Sequence, residues 1–174
     1  MDIRIGSHIP VLIKVLEISE GPVLELGSGY FSTPMLYWLC KTQGREFVSY
    51  ENDKEWSKIF EASIVRKDRP PPKNIVHYID DWDKAPIDKK WGVVFIDHRP
   101  ARRRIKDIKR LANLADYVVV HDTQPSHEKQ YKYHWAFPKY KYIYTFDKVW
   151  PWTTVLSNFK DLSNLKWKFN ITKI

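Results

Sequence analysis

The stretch VLELGSGYFS, Val23 to Ser32, decides how the rest of the chain is read. An apolar run ends in a carboxylate, Glu25, and passes at once into two glycines, Gly27 and Gly29. Glycine destabilises regular structure unless its missing side chain is used, so a strand that ends this way leads into a turn where backbone approaches something closely. The helix that follows, Thr33 to Lys41, carries Met35, Leu36, Leu39 and Cys40 on one side.

The same alternation extends in both directions. Upstream, Ile9, Val11, Leu12, Val15, Leu16 and Ile18 recur at helical spacing, with Ser7 as N-cap and Pro10 in the first turn. Gly21-Pro22 separates that helix from the first strand. Downstream come a strand EFVSYE (46–51), a helix DKEWSKIFEASIVRK (53–67) with Trp56, Ile59, Phe60 and Ile64 inward, and the stiff connector Arg69 to Lys73. A third strand NIVHYID (74–80), a fourth WGVVFID (91–97), a helix Arg102 to Leu114 and a fifth strand DYVVVHD (116–122) follow. The fourth strand is continuously apolar, the mark of a strand covered on both faces. Five strands alternating with helices predict a doubly wound α/β sheet. Beyond Asp122, Tyr140, Tyr142, Tyr144 and Phe146 alternate with Lys139, Lys141, Ile143 and Thr145, and TTVLSNF (153–159) supplies a partner, so a seven-stranded mixed sheet ends in an antiparallel hairpin.

With 174 residues, the chain fits one domain with a sizeable core. A hydrophobic fraction of 43% opposes disorder, and no apolar run is long enough to span a bilayer. The start MDIRIGSHIP has no export signal, and a single cysteine, Cys40, excludes an internal disulfide. These features favour a cytoplasmic protein with no membrane partner. The net charge of +8 makes nucleic acid a candidate partner by encounter, without specifying chemistry.

In an open α/β sheet ligands bind beyond the carboxyl ends of the strands, where strand order reverses. Those ends here are Glu25-Leu-Gly-Ser-Gly, Tyr50-Glu51, Asp80-Asp81-Trp82, Asp97-His98 and His121-Asp122. Acids at five converging ends repel one another unless a cation or a donor compensates them, which suggests a site. Glu51 stands where a carboxylate accepts from ribose hydroxyls. The dinucleotide pattern needs a third glycine, and here Tyr30, Phe31 and Ser32 follow Gly29. Glu25 also suits an ammonium or sulfonium better than a phosphate.

On VLELGSGYFST, Glu51, VVFIDHRP and YVVVHDT, the chain resembles the class I S-adenosylmethionine-dependent methyltransferases over residues 20 to 125. ELGSGYFST and FIDH are most similar to the small O-methyltransferases of the catechol O-methyltransferase type. The resemblance implies a Rossmann-like fold and an enzyme that binds S-adenosylmethionine. Its expected contacts are Glu25, Gly27, Ser28, Gly29, Tyr30 and Ser32 at the methionine end, and Glu51 and Asn52 at the ribose. Asp81 and Trp82 would flank the adenine, and Asp97 and His98 complete the set. The resemblance also implies Mg²⁺ held by Asp97, Asp122 and Thr123. The chain departs from the pattern where Pro100 replaces the lysine that lies three residues past the fourth-strand aspartate, and where Thr123 replaces an asparagine.

Arg99 and Arg102 stay protonated and are poor bases. His121 is the preferred general base, with Asp97 and Asp122 beside the transferred methyl; His98 is the other candidate. The acceptor expected is a small molecule bearing a hydroxyl or an amine. Two alternatives stand: a nucleic-acid (RNA) methyltransferase using the basic and aromatic residues, and an S-adenosylmethionine-binding protein without chemistry. The cationic run Arg99 to Arg110 reads mainly as a solvated helix face. For Tyr131, Tyr133, Trp135 and Phe137, a substrate lid, a base-stacking surface and hairpin core are all open.

Overall fold

The computed structural model describes residues 6–63 and 75–166, with only the backbone at 59–63. The proline connector, the third helix beyond Ser63 and the inward side chains Ile59, Phe60 and Ile64 therefore lie outside the described residues.

Seven strands form a sheet in the order β3-β2-β1-β4-β5-β7-β6. Its strands are β1 (Val23–Leu26), β2 (Phe47–Glu51), β3 (Val76–Tyr78), β4 (Trp91–Ile96), β5 (Ala115–His121), β6 (Tyr142–Phe146) and β7 (Thr153–Ser157). The first five are parallel, while β7 runs antiparallel to both β5 and β6. The expected mixed sheet and terminal hairpin are both present. The hairpin inserts its second strand next to β5 and leaves β6 at the edge.

Helix α1 (Ile9–Glu17) precedes β1, and three helices connect strands: α2 (Ser32–Thr42), α3 (Lys54–Ser63) and α4 (Arg104–Leu111); the short α5 (Glu128–Tyr131) follows β5. Alternation along the central strands divides the core in two. Val93, Phe95 and Val119 pack with Val11, Leu12, Val15, Leu16 and Leu36 from α1 and α2. Val94, Ile96, Val118 and Val120 pack on the other face with Ile108 and Leu111 of α4 and with Tyr131, Tyr133 and Tyr140. Strand β4 is buried at all six positions, as its unbroken apolar character requires. Along β6, Tyr142, Tyr144 and Phe146 turn inward while Ile143 and Thr145 are exposed, matching the period of two.

Two local expectations are corrected and one open reading is narrowed. Ser7 does not cap α1: the cap residue is His8, and the Ser7 hydroxyl donates instead to the Pro151 carbonyl at 2.7 Å. The helix expected over Arg102 to Leu114 is α-helical only from Arg104 to Leu111, preceded by a 3₁₀ turn and followed by a tight turn. Among Tyr131, Tyr133, Trp135 and Phe137, two are core: Tyr131 and Tyr133 are buried, whereas Trp135 is 62% exposed. Rings of His127, Tyr131, Tyr133 and Phe137 form a stacked column with successive centroids 5.6, 5.2 and 5.1 Å apart. Among the described residues no helix is long and apolar enough to cross a membrane.

Candidate functional site

Strand order reverses between β1 and β4, and the turn after β1 lies at that point. Gly27 donates its N–H to the Tyr50 carbonyl at 2.9 Å, while Asp97 donates to the Leu26 carbonyl at 2.9 Å. The loops of β1, β2 and β4 are thereby drawn together. Gly27 has φ +94°, and a Cβ there would stand 2.6 Å from the backbone of His98. Only glycine permits that approach.

Two carboxylates hold the turn from beneath. Glu25 is fully buried; its Oε2 accepts from Thr33 Oγ1 at 2.7 Å and from Ser49 Oγ at 2.6 Å. Thr33 Oγ1 in turn accepts the Gly29 N–H at 2.8 Å, so the acid acts on the glycine turn through a hydroxyl. Its second oxygen, Oε1, is buried with no partner among the described residues. Burial pushes the Glu25 carboxyl up to about 7, with the Ser32, Ser49 and Thr33 hydroxyls pulling the other way.

The sign of the Glu25 effect follows. An acid whose folded pKa lies above its unfolded value binds more protons when folded, so stability declines as pH rises from about 4.5 to 7. Glu25→Gln is therefore expected to raise the unfolding free energy by roughly 1–3 kcal/mol at pH 8 and to change it little at pH 4. Urea denaturation at the two pH values checks this; an equal effect at both would refute it.

Glu51, at the end of β2, uses both oxygens. Oε2 accepts from the Ser28 N–H at 2.9 Å and the Ser28 hydroxyl at 3.2 Å, and Oε1 accepts from the N–H groups of Asn52 at 2.8 Å and Asp53 at 2.9 Å. Trp56 adds a bond from Nε1 to the Ser28 carbonyl at 2.7 Å, and Tyr30 stands edge-on to its ring at 4.9 Å. Trp56 reads in the sequence as a packing residue; its bracing of the turn arises from the docking of α3.

Further along the rim, several expected roles are corrected. Trp82 is buried, stacks on His98 at 4.2 Å and donates to the Arg99 carbonyl at 2.8 Å, so its ring is committed to the core and does not flank an adenine. Asp81 caps the 3₁₀ turn Trp82–Lys84, accepting from the Asp83 N–H at 2.9 Å. His98 is 1% exposed; its Nε2 meets Asp107 Oδ2 at 2.9 Å, and its Nδ1 is buried with no partner among the described residues. Ser32 is buried at the start of α2; Tyr30, Ser28 and Gly29 remain at the surface of the turn.

Arg104 changes the electrostatics of the whole rim. Although it belongs to the run read as a solvated face, it is 3% exposed. Its guanidinium donates to the carbonyls of His98 at 2.8 Å, His121 at 3.0 Å and Asp97 at 2.9 Å, and to Asp97 Oδ1 at 2.7 Å. It also lies 3.5 Å from Asp122 Oδ2, which accepts the Tyr131 hydroxyl at 2.9 Å. The magnesium expectation fails here. The edge between Asp97 and Asp122 is taken by Arg104, and Thr123 Oγ1 accepts from Thr154 at 2.8 Å. These residues do not fit Mg²⁺ at that pair. The other cations of the run are largely paired: Arg103 with Asp83 and Asp107, Lys106 with Asp83, and Arg110 with Asp88.

His121 reaches the site, where it is bonded to Asp97. Its Nε2 lies 2.9 Å from Ser7 Oγ, whose hydroxyl also stands 2.7 Å from the Pro151 carbonyl. Nδ1 faces Asp97 Oδ2 at 3.2 Å and donates to that carboxylate. Burial alone would lower the His121 pKa, but the charge of Asp97, the hydrogen bond to it and the charge of Asp122 together outweigh that and raise it. Asp97 is in turn held below the usual carboxylate range: burial opposes this, and His121 and Arg104 together overcome it. Arg104 and His121 thus both lie against the acids at the ends of β4 and β5. Asp122 adopts φ +62°, a left-handed conformation that aspartate tolerates and that marks functional turns.

No family model and no curated protein sequence matches the chain. Among solved structures it is similar to two of WbdD, one described as a bifunctional kinase-methyltransferase. They superpose with TM-scores of 0.62 and 0.60 at 14% identity, covering 94% of this chain and 42% and 41% of WbdD. At that identity the likeness concerns the fold alone, a Rossmann-like α/β sheet.

Proposed function

We propose that the protein binds S-adenosylmethionine at the glycine turn and transfers its methyl group to a small acceptor bearing a hydroxyl or an amine. The observation that carries this reading is the Gly27 turn at the strand-order reversal, flanked by carboxylates at the ends of β2 and β4. Glu51 would take the ribose by exchanging the 3.2 Å Ser28 hydroxyl bond, its longest, for a ribose hydroxyl. The buried Oε1 of Glu25 is an acceptor suited to a donor from the amino-acid end of the nucleoside. The donor supplies an already activated methyl group, so the chain contributes mainly alignment of acceptor and sulfonium.

Calorimetric titration of the wild type and Glu51→Gln with S-adenosylmethionine and S-adenosylhomocysteine tests the site. The substitution is expected to weaken binding by about 10-fold or more, because a ribose hydroxyl loses a charged acceptor. Equal affinities would reject the ribose role.

A second reading, a nucleoside-binding protein without transfer chemistry, is favoured by the rim itself. His121 is bonded to Asp97, His98 is buried against Asp107, and Pro100 occupies the lysine position. Release of S-adenosylhomocysteine on incubation with hydroxyl and amine acceptors would exclude it.

A further inference from the structure

His8 is the anomaly of the molecule. It is 2% exposed, and neither ring nitrogen has a partner among the described residues. A neutral imidazole in that state leaves a donor and an acceptor unpaired, a buried arrangement that native proteins avoid unless water or an ion completes it. Its ring packs on Phe95 and stands edge-on to His121, with centroids 4.8 Å apart in each case. Ligand atoms of His8, Asp97 and His121 all lie within 4.8 Å of one another.

We propose that His8, Asp97 and His121 form a binding site for one divalent transition-metal ion, distinct from the Asp97–Asp122 edge that Arg104 occupies. Two ligands bonded to one such ion at about 2.1 Å stand roughly 3.0–3.4 Å apart in octahedral or tetrahedral geometry. Asp97 Oδ2 and His121 Nδ1 are already 3.2 Å apart. An ion between them replaces the Nδ1 proton, and His8 closes the third corner by a side-chain adjustment.

The surroundings of these ligands are those a metal site uses. The outer nitrogen of His121 donates to Ser7 Oγ, which fixes the ring and leaves Nδ1 as the ligand atom. Asp97 is anchored through its other oxygen by Arg104, leaving Oδ2 to bind in monodentate fashion. Two imidazoles and one carboxylate select ions of the Mn²⁺, Fe²⁺, Co²⁺ and Zn²⁺ group over Mg²⁺ or Ca²⁺, which prefer oxygen. Three protein ligands leave at least one position for an exogenous oxygen or nitrogen donor.

The full chain, treated with chelator and dialysed, is titrated with Co²⁺, Zn²⁺ and Mg²⁺. One equivalent of Co²⁺ is expected, with visible d–d absorption, and with affinity about 100-fold or more above that for Mg²⁺. His8→Phe removes a side chain that bonds no described residue, so near-ultraviolet circular dichroism should stay native while Co²⁺ affinity falls by about 10–100-fold. Proton NMR of the wild-type Co²⁺ protein gives a measurement that needs no variant, and two paramagnetically shifted histidine rings are expected. Failure to take up Co²⁺ or Zn²⁺, equal affinity for Mg²⁺, unchanged affinity in folded His8→Phe, or fewer than two shifted rings would each overturn the site. No nucleoside enters these measurements, so their failure is separate from failure of the methyl-donor reading.

Discussion

Replacement of Arg104 by methionine is expected to lower the unfolding free energy by about 3–5 kcal/mol, the range found when one partner of a buried ion pair is removed. Methionine restores much of the volume and none of the charge. Asp97 then faces only His121, Asp122 keeps only the Tyr131 hydroxyl and a distant His121, and the carbonyls of Asp97 and His98 lose the guanidinium donors they had. Lysine should rescue little, since one ammonium cannot reach three carbonyls and two carboxylates in the directions a planar fork does. Urea denaturation at neutral pH measures the loss; a change under about 1 kcal/mol would show that Arg104 does not hold the rim together.

The acid limb carries the same information. Asp97 has a folded pKa below its unfolded value, so its contribution to stability is complete above the unfolded carboxylate range near pH 4. That contribution is lost as pH falls toward the lower, folded value. Without Arg104 the folded carboxyl moves up, and the acid-induced loss of stability attributable to Asp97 shrinks. Comparing wild type with Arg104→Met between pH 5 and pH 2 should therefore show converging stabilities, and parallel curves would contradict the pairing.

Gly27→Ala is the second large effect. The added Cβ would lie 2.6 Å from His98 Cα and N, both backbone atoms, and φ +94° is unfavourable for any L side chain. Strained backbone and overpacking each cost about 1–3 kcal/mol, so a combined loss of about 3 kcal/mol or more is expected. Moving His98 backbone also moves Asp97 and the Arg104 acceptors, so affinity for the nucleoside should fall with stability. Gly92→Ala provides the contrast. Its Cβ would meet the Glu20 carbonyl oxygen at 1.7 Å, at the opposite ends of the strands. It should destabilise while leaving the affinity of the folded fraction unchanged. Equal nucleoside affinity in both variants would remove the Gly27 turn from the binding site.

Much of this protein is local in its sequence. The alternation of short apolar strands with helices, the continuous burial of β4 and the period of two in β6 follow from which faces a segment must cover. Those requirements act over a few residues and leave a readable pattern. Gly27 is equally legible, because a glycine directly after a buried strand marks a close backbone approach. The acids at the strand ends were visible for the same reason, since a parallel sheet brings its carboxyl ends to one rim.

What compensates those acids was settled only by tertiary structure. Arg104 sits in a run of cations with the spacing of a solvated face, and nothing local distinguishes it from Arg103 or Lys106; docking of α4 against β4 and β5 turns that one guanidinium inward. The hydrogen bonds of His121 run through Ser7 to Pro151, which stand 114 and 30 residues away, and no short-range pattern encodes such a chain. The juxtaposition of His8 with Asp97 and His121 has the same origin, because α1 packs across the sheet and brings the residue that precedes it to the rim. Hydrophobic periodicity fixes which face of an element is buried, whereas the state of a buried charge is fixed by whichever groups the completed fold places within about 4 Å.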